Sequence, residues 1–239
     1  MMYEERFYRH YSKHRHSLEI TYRESDLYIV SDKEIDKKLA QTTLIKYYTQ
    51  IENYIKKNPK FLSSLSPLEI IDPAPPIVKD MFEASKLAGI GPFSSVAGAV
   101  ALYTGKSLLK FCNQIMVENG GDIFLKINKD KKIGLYLGEN FHPQIITIKI
   151  KKRDYPFGIC SSSSTIGPSL NFGRADLLSV IGKDAIISDV FATAYSNKIR
   201  KEKDINEVIN EARSNSFIEA IIISFENKIF FWGNVEIDE

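Results

Sequence analysis

Short segments that alternate apolar and polar residues recur along this chain, and several are separated from the next by only a few turn residues. "HSLEITYRESDLYIVSD" (16–32) alternates on either side of Glu24 and Ser25. "IMVENGGDIFL" (115–125) turns at Asn119-Gly120-Gly121-Asp122, and the next strand is expected to return from Lys132 to Gly138. "QIITIKIKKRD" (144–154) adds a further strand, and "IEAIIISFENKIFFWGNVEI" (218–237) turns at Glu226-Asn227, with apolar runs that suggest burial on both faces. A period of two puts alternate side chains on opposite faces, and connections this short can join only antiparallel neighbours. The sheet is therefore expected to be largely antiparallel.

Other stretches carry a helical period. From Asp32 to Asn58, Ile35, Leu39, Thr42, Ile45, Tyr48, Ile51 and Ile55 recur at three- and four-residue steps. This predicts a long amphipathic helix, with Asp32 capping its start and Pro59 helping to end it. "SSLSPLEIIDPAPPIV" (63–78) holds four of the nine prolines and reads as a loop. "MFEASKLAGIGPFSSVAGAVALYTGKSLLK" (81–110) reads as a short helix closed by Gly89 and a second from Pro92–Ser94 to about Lys110. One further helix is expected around "ISDVFATAYSN" (187–197). The fold class is α+β with packed helices. The hairpin and helix before the proline-rich loop are too small for a core of their own, which predicts one domain over residues 1–239.

Composition limits the partners. The 239 residues carry 32 basic and 30 acidic side chains, a net charge of +2 that makes no global case for nucleic acid or membrane. Cys112 and Cys160 are the sole cysteines, too few for a disulfide scaffold or zinc cluster. The N-terminus opens on charges and aromatics, and the most apolar stretch, Val96–Tyr103, is far shorter than a membrane span. A cytoplasmic protein is expected. The basic segment 1–16 interleaves aromatics with Arg, Lys and His, a pattern that could touch RNA or a phosphate but is read first as a solvated edge strand.

Asp189 and Thr193 lie four residues apart, on one helical face. They could point into a common site; alternatively, Asp189 favours the helix dipole and Thr193 bonds back to the preceding turn. Gly91, in the Gly89–Pro92 turn, leaves room for close approach, and the small residues Ser94–Ala101 allow either tight helix packing or a ligand near a helix N-terminus. Asn119, Gly120, Gly121 and Asp122 make a plain turn or a place where backbone meets a ligand. Ser161, Ser162, Ser163 and Ser164, followed by Thr165, read as a polar loop between core elements.

In their order, "GIGPFSSVAGAVA", "VENGGDIFL", "GICSSSSTIGPSLNFGRAD" and "ISDVFATAYSN" resemble the uncharacterised prokaryotic family related to ApbE, the FAD:protein FMN transferases. The likeness runs from about residue 17 to near the C-terminus. It implies an ApbE-like, T-fold-related architecture and a magnesium ion on a D-x-x-x-T helix, contacting the pyrophosphate of FAD. Asp189 and Thr193 match that pattern, and the Val96 carbonyl matches the remaining ligand, from an A-K-G segment that here reads Val96-Ala97-Gly98, without the Lys. Asn119–Asp122 matches an l-G-G-D turn, and Ser161–Ser164 resembles a T-S-G loop beside flavin. Where the transferases have H-I-I-D-P, this chain has Gly167-Pro168-Ser169-Leu170, and His10, His14, His16 and His142 are expected at the surface.

The resemblance implies transfer of FMN from FAD to a Thr or Ser of a partner protein, with release of AMP. Asp176 or Asp122 would act as base. The alternatives are a non-catalytic binder of flavin or another nucleotide, or hydrolysis of the FAD pyrophosphate. A homo-oligomer is compatible with the sequence, which does not fix the assembly.

Overall fold

A computed structural model describes residues 16–138, 141–164 and 171–238. Eight strands form one sheet in the order β1-β2-β3-β4-β7-β8-β9-β10, and every neighbouring pair is antiparallel. The strands are β1 Ser17–Tyr22, β2 Ser25–Ser31, β3 Ile115–Asn119, β4 Asp122–Lys126, β7 Phe157–Ser162, β8 Leu177–Gly182, β9 Ile218–Phe225 and β10 Lys228–Gly233. The closing hairpin turns at Glu226 and Asn227, both at positive φ, as a two-residue connection requires. The first turns one residue earlier than expected, at Arg23-Glu24, because Ser25 already pairs with Tyr22.

The strand expected to return beside β4 does not. β5 (Lys131–Tyr136) pairs instead with β6 (Ile145–Ile150), and β6 with β11 (Glu236–Asp238), in a separate three-stranded sheet. Its apolar residues, Leu135, Ile146, Ile148 and Ile150, cover one face of the large sheet at Leu125, Phe157, Ile159 and Ile222. The helices cover the other face, where Val117, Phe124, Val180 and Ile221 meet them. The molecule is thus three layers, with the long sheet in the middle and an apolar core on each side. β10, expected to be buried on both faces, is half-exposed because it is the last strand of its sheet.

The long helix α1 is Lys37–Lys57, and its cap is Asp36, whose side chain accepts from Leu39 N–H at 2.7 Å. Asp32 instead accepts from the Asn113 and Gln114 amides, tying the end of β2 to the start of β3. The buried stripe is Ala40, Leu44, Ile51 and Tyr54; Thr42 faces solvent. A one-turn helix, α2 (Lys60–Ser63), comes just before the proline-rich loop, and α3 (Pro76–Ala88) ends on left-handed Gly89, as expected. Then α4 (Val96–Leu108) follows a 3₁₀ turn at Pro92–Ser95. After β8 come α5 (Ala185–Lys198) and an amphipathic α6 (Asp204–Ser214), unanticipated although Ile205, Val208 and Ala212 carry a helical period.

Candidate functional site

α5 lies across β7 and β8 and against α4. The approach is close because two glycines face it. A Cβ on Gly98 would run into the Ala185 carbonyl and stand 2.8 Å from Asp189 Cβ, and one on Gly158 would stand 2.5 Å from the Ala185 backbone. Further along α4, Gly105 admits the Phe124 ring. The small residues of α4 therefore serve helix packing, the first of the two readings.

This packing brings Asp189 to the start of α4. Asp184, not Asp189, caps α5, accepting from Ile187 N–H at 2.9 Å. Asp189, in the second turn, accepts from Gly98 N–H at 2.8 Å. It thereby satisfies one of the free amides of α4, whose own N-cap residue, Ser95, turns its hydroxyl back to the Pro92 carbonyl. Thr193 is half-buried, and among the described residues its hydroxyl makes no bond to the preceding turn, unlike Thr42 and Thr43 of α1. The structural reading of Thr193 as back-bonded therefore does not hold.

From the sheet, Asp122 joins them. The Gly120-Gly121 turn, with φ of 67° and 98°, sets Asp122 at the first position of β4 and Asn119 at the last of β3. Asn119 donates to the Ala97 carbonyl at 3.2 Å, fixing the turn against α4, and Glu118 accepts from Gly121 N–H at 2.8 Å. Asp122 accepts from Ser161 N–H at 3.3 Å. Burial pushes the carboxyl of Asp122 well above the ordinary range, and the Asp189 charge adds to this. Burial likewise raises Asp189 to about 7, against the opposing Gly98 hydrogen bond. Cys160, beside Asp122, is buried and pushed up, so it is a protonated donor to its neighbours and not a nucleophile.

The serine run begins inside β7 rather than in a loop. Ser161 pairs with the Ser179 hydroxyl at 2.7 Å, Ser163 donates to the Asp176 carbonyl, and Ser164 donates to the Ala175 carbonyl. Ser162 accepts from Asn171 Nδ2 at 3.0 Å, and among the described residues its own proton has no acceptor. Asp176 stands apart: its carboxylate accepts from Glu226 N–H at 3.0 Å, at the β9–β10 turn. Gly91 is small because the Ser64 carbonyl packs where its Cβ would be, a contact within the chain itself. Thr165, the Gly167–Leu170 stretch and residues 1–15 lie outside the described residues. His142 is exposed.

The structure thus brings Asp189 and Asp122 together beside the start of α4, with Thr193 one turn further along α5. Sequence reasoning missed Asn119's role as a clasp, Glu118, Asn171 and Ser196. A Glu in an otherwise apolar strand and an Asn closing the serine stretch were the available signals. Among the described residues no three His, Cys, Asp or Glu side chains converge on one metal position. An ion here would draw on hydroxyl, carbonyl and phosphate oxygens as well as Asp189, a donor set suited to magnesium.

The α+β fold is shared with solved ApbE flavin transferases. The flavin transferase ApbE from Vibrio cholerae matches with a TM-score of 0.59 over 90% of this chain and 96% of that one, at 13% identity. The apo Pseudomonas stutzeri flavinyl transferase ApbE matches with a TM-score of 0.53 over 90% and 93%, at 10% identity. Sequence places the chain more narrowly. The family model described as "AbpE bacteria" matches residues 9–219, and the chain belongs to that ApbE-related family. Similar relatives include a UPF0280 protein of Methanocaldococcus jannaschii, 38% identical over 86% of this chain and 85% of that protein. A UPF0280 protein of Archaeoglobus fulgidus is 31% identical over 90% of each. Among the described residues no single helix is long and apolar enough to cross a membrane.

Proposed function

We propose that the protein binds FAD with magnesium and transfers FMN to a Thr or Ser hydroxyl of a partner protein. The observation that carries this reading is the buried Asp189 carboxylate, held at the N-terminus of α4 beside Asp122 and one turn from Thr193, whose hydroxyl has no hydrogen-bond partner among the described residues. Two carboxylates buried together are costly unless a cation or a proton relieves them.

Asp189, Thr193 and the Val96 carbonyl would hold the magnesium, which when bound neutralises phosphoryl charge. The Gly98 N–H orients Asp189 for that task. At the β3–β4 turn, Gly121 has open space where a Cβ would stand, so a nucleotide can approach the backbone there. Ser162 offers its proton to a phosphate oxygen. In the transfer the acceptor oxygen bonds to the flavin-side phosphorus, the bond from that phosphorus to the bridging oxygen breaks, and AMP leaves with the electron pair. The acceptor's proton passes to a carboxylate. Asp122, whose carboxyl burial makes more basic than an ordinary carboxylate, suits this better than Asp176, which the Glu226 amide engages.

A second reading, a flavin or nucleotide binder or an FAD pyrophosphate hydrolase, is favoured by Ala97 standing where the resemblance has Lys and by Gly167–Leu170 standing where it has His. Incubation with FAD, magnesium and a Thr/Ser acceptor-peptide library separates the three. Transfer yields AMP in step with covalent flavin on peptide; hydrolysis yields AMP with free FMN; a binder yields neither.

A further inference from the structure

Along α5, Asp189, Thr193, Ser196 and Asn197 stand at i, i+4, i+7 and i+8, one polar stripe on a helix otherwise buried in apolar surroundings. One end of the stripe meets the start of α4 through Asp189. The other end meets the segment 171–174. There Asn171 Nδ2 donates to Ser196 Oγ at 2.7 Å as well as to Ser162, and Phe172 N–H donates to Asn197 Oδ1 at 2.8 Å. Gly173 N–H donates back to Asn171 Oδ1 at 2.8 Å, and Arg174 N–H donates to the Ile199 carbonyl at 2.8 Å. A Cβ on Gly173 would collide with the Ser196 carbonyl, so the segment is pressed flat on the helix.

What this strapping displays is a phenylalanine. Phe172 is 49% exposed and, among the described residues, stacks on no other ring. A single exposed apolar side chain is ordinary. This one is fixed by its own amide and both neighbours, at the far end of the stripe that begins at the proposed magnesium ligand. Eight residues of helix separate Asp189 from Asn197, about 12 Å. That distance is commensurate with a sugar or ribityl chain and its ring, measured from the phosphate that carries them.

We infer that Phe172 is a stacking platform for a planar ring of the bound dinucleotide, with α5 setting the distance between pyrophosphate and ring. The inference rests on the proposed binding of FAD. Polar contacts from the stripe orient the ligand, and Phe172 adds affinity through the ring face, a contact worth about five- to a hundred-fold when truncated to Ala. Asn171 is a positioning residue that aims Phe172 through Ser196 and Ser162.

Calorimetric titration of wild-type, Phe172→Ala, Phe172→Tyr and Asp189→Asn protein with FAD, FMN, ADP and inorganic pyrophosphate, in magnesium, tests it. Phe172→Ala is expected to weaken FAD about five- to a hundred-fold and leave pyrophosphate unchanged, while Phe172→Tyr retains wild-type affinity. A parallel loss for FMN alone identifies the flavin ring, and for ADP alone the adenine. FAD binding by Phe172→Ala equal to wild type, with binding by Asp189→Asn lost, overturns the platform and leaves the metal site standing. No FAD binding by wild-type protein overturns the binding proposal and the platform together.

Discussion

At the scale of single residues, Asp189 has two duties that set its protonation in opposition. As the cap of α4 it accepts from Gly98 N–H, which favours the charged form, while burial favours the neutral one and wins. Its carboxyl therefore titrates near 7 in the folded chain, against about 3.9 unfolded. A raised folded-state value means that stability is fully present below the unfolded value and is lost as pH rises from about 4 through about 7. Without divalent ions, thermal melts of wild-type protein should fall relative to Asp189→Asn across this window, by a few kcal/mol at its upper end. Asparagine keeps the oxygen that caps α4. Magnesium should restore the wild-type protein above neutrality and do nothing for the variant. Equal pH profiles for the two proteins would contradict the buried carboxyl. The spacing of Asp189 and Thr193 was legible in the sequence because it is local; Asp122's approach was not, because the chain between them winds through two sheets.

At the scale of elements, the Gly98 contact between α4 and α5 builds the site. Helix propensity alone would make Gly98→Ala stabilising by about 1 kcal/mol. The added methyl would instead meet the Ala185 carbonyl and Asp189, and overpacking of this kind costs about 1–3 kcal/mol. Urea unfolding should therefore show a net loss, with weakened FAD binding; a gain would mean that the helices can part freely. Small residues in α4 announced close packing without naming the partner. The serine run illustrates the opposite difficulty. Four hydroxyls in a row argued for a loop, but Ser161 and Ser162 are accommodated in β7 because Ser179 and Asn171 meet their polar atoms. Such partners come from distant strands and loops, and local propensity cannot supply them.

At the scale of the whole molecule, the antiparallel pairing was readable in part from alternation and turn residues, since β1–β2, β3–β4 and β9–β10 are each joined by a short turn and need no long-range information. The departure of β5 and β6 into a second sheet was not. Their alternation fits either sheet, and only the apolar far face of the large sheet, with Phe157 and Ile222 needing cover, decides it. The result is a central sheet whose helix-covered side carries α4 and α5, on which the proposed FAD site lies.

The central claim is that this site takes FAD through a magnesium ion held at Asp189. It is tested most directly by calorimetric titration of FAD into wild-type and Asp189→Asn protein, with magnesium and with a chelator. The account predicts binding by the wild type in magnesium alone, and none by the variant under either condition. Wild-type binding that survives the chelator, or that the variant retains in magnesium, would contradict it.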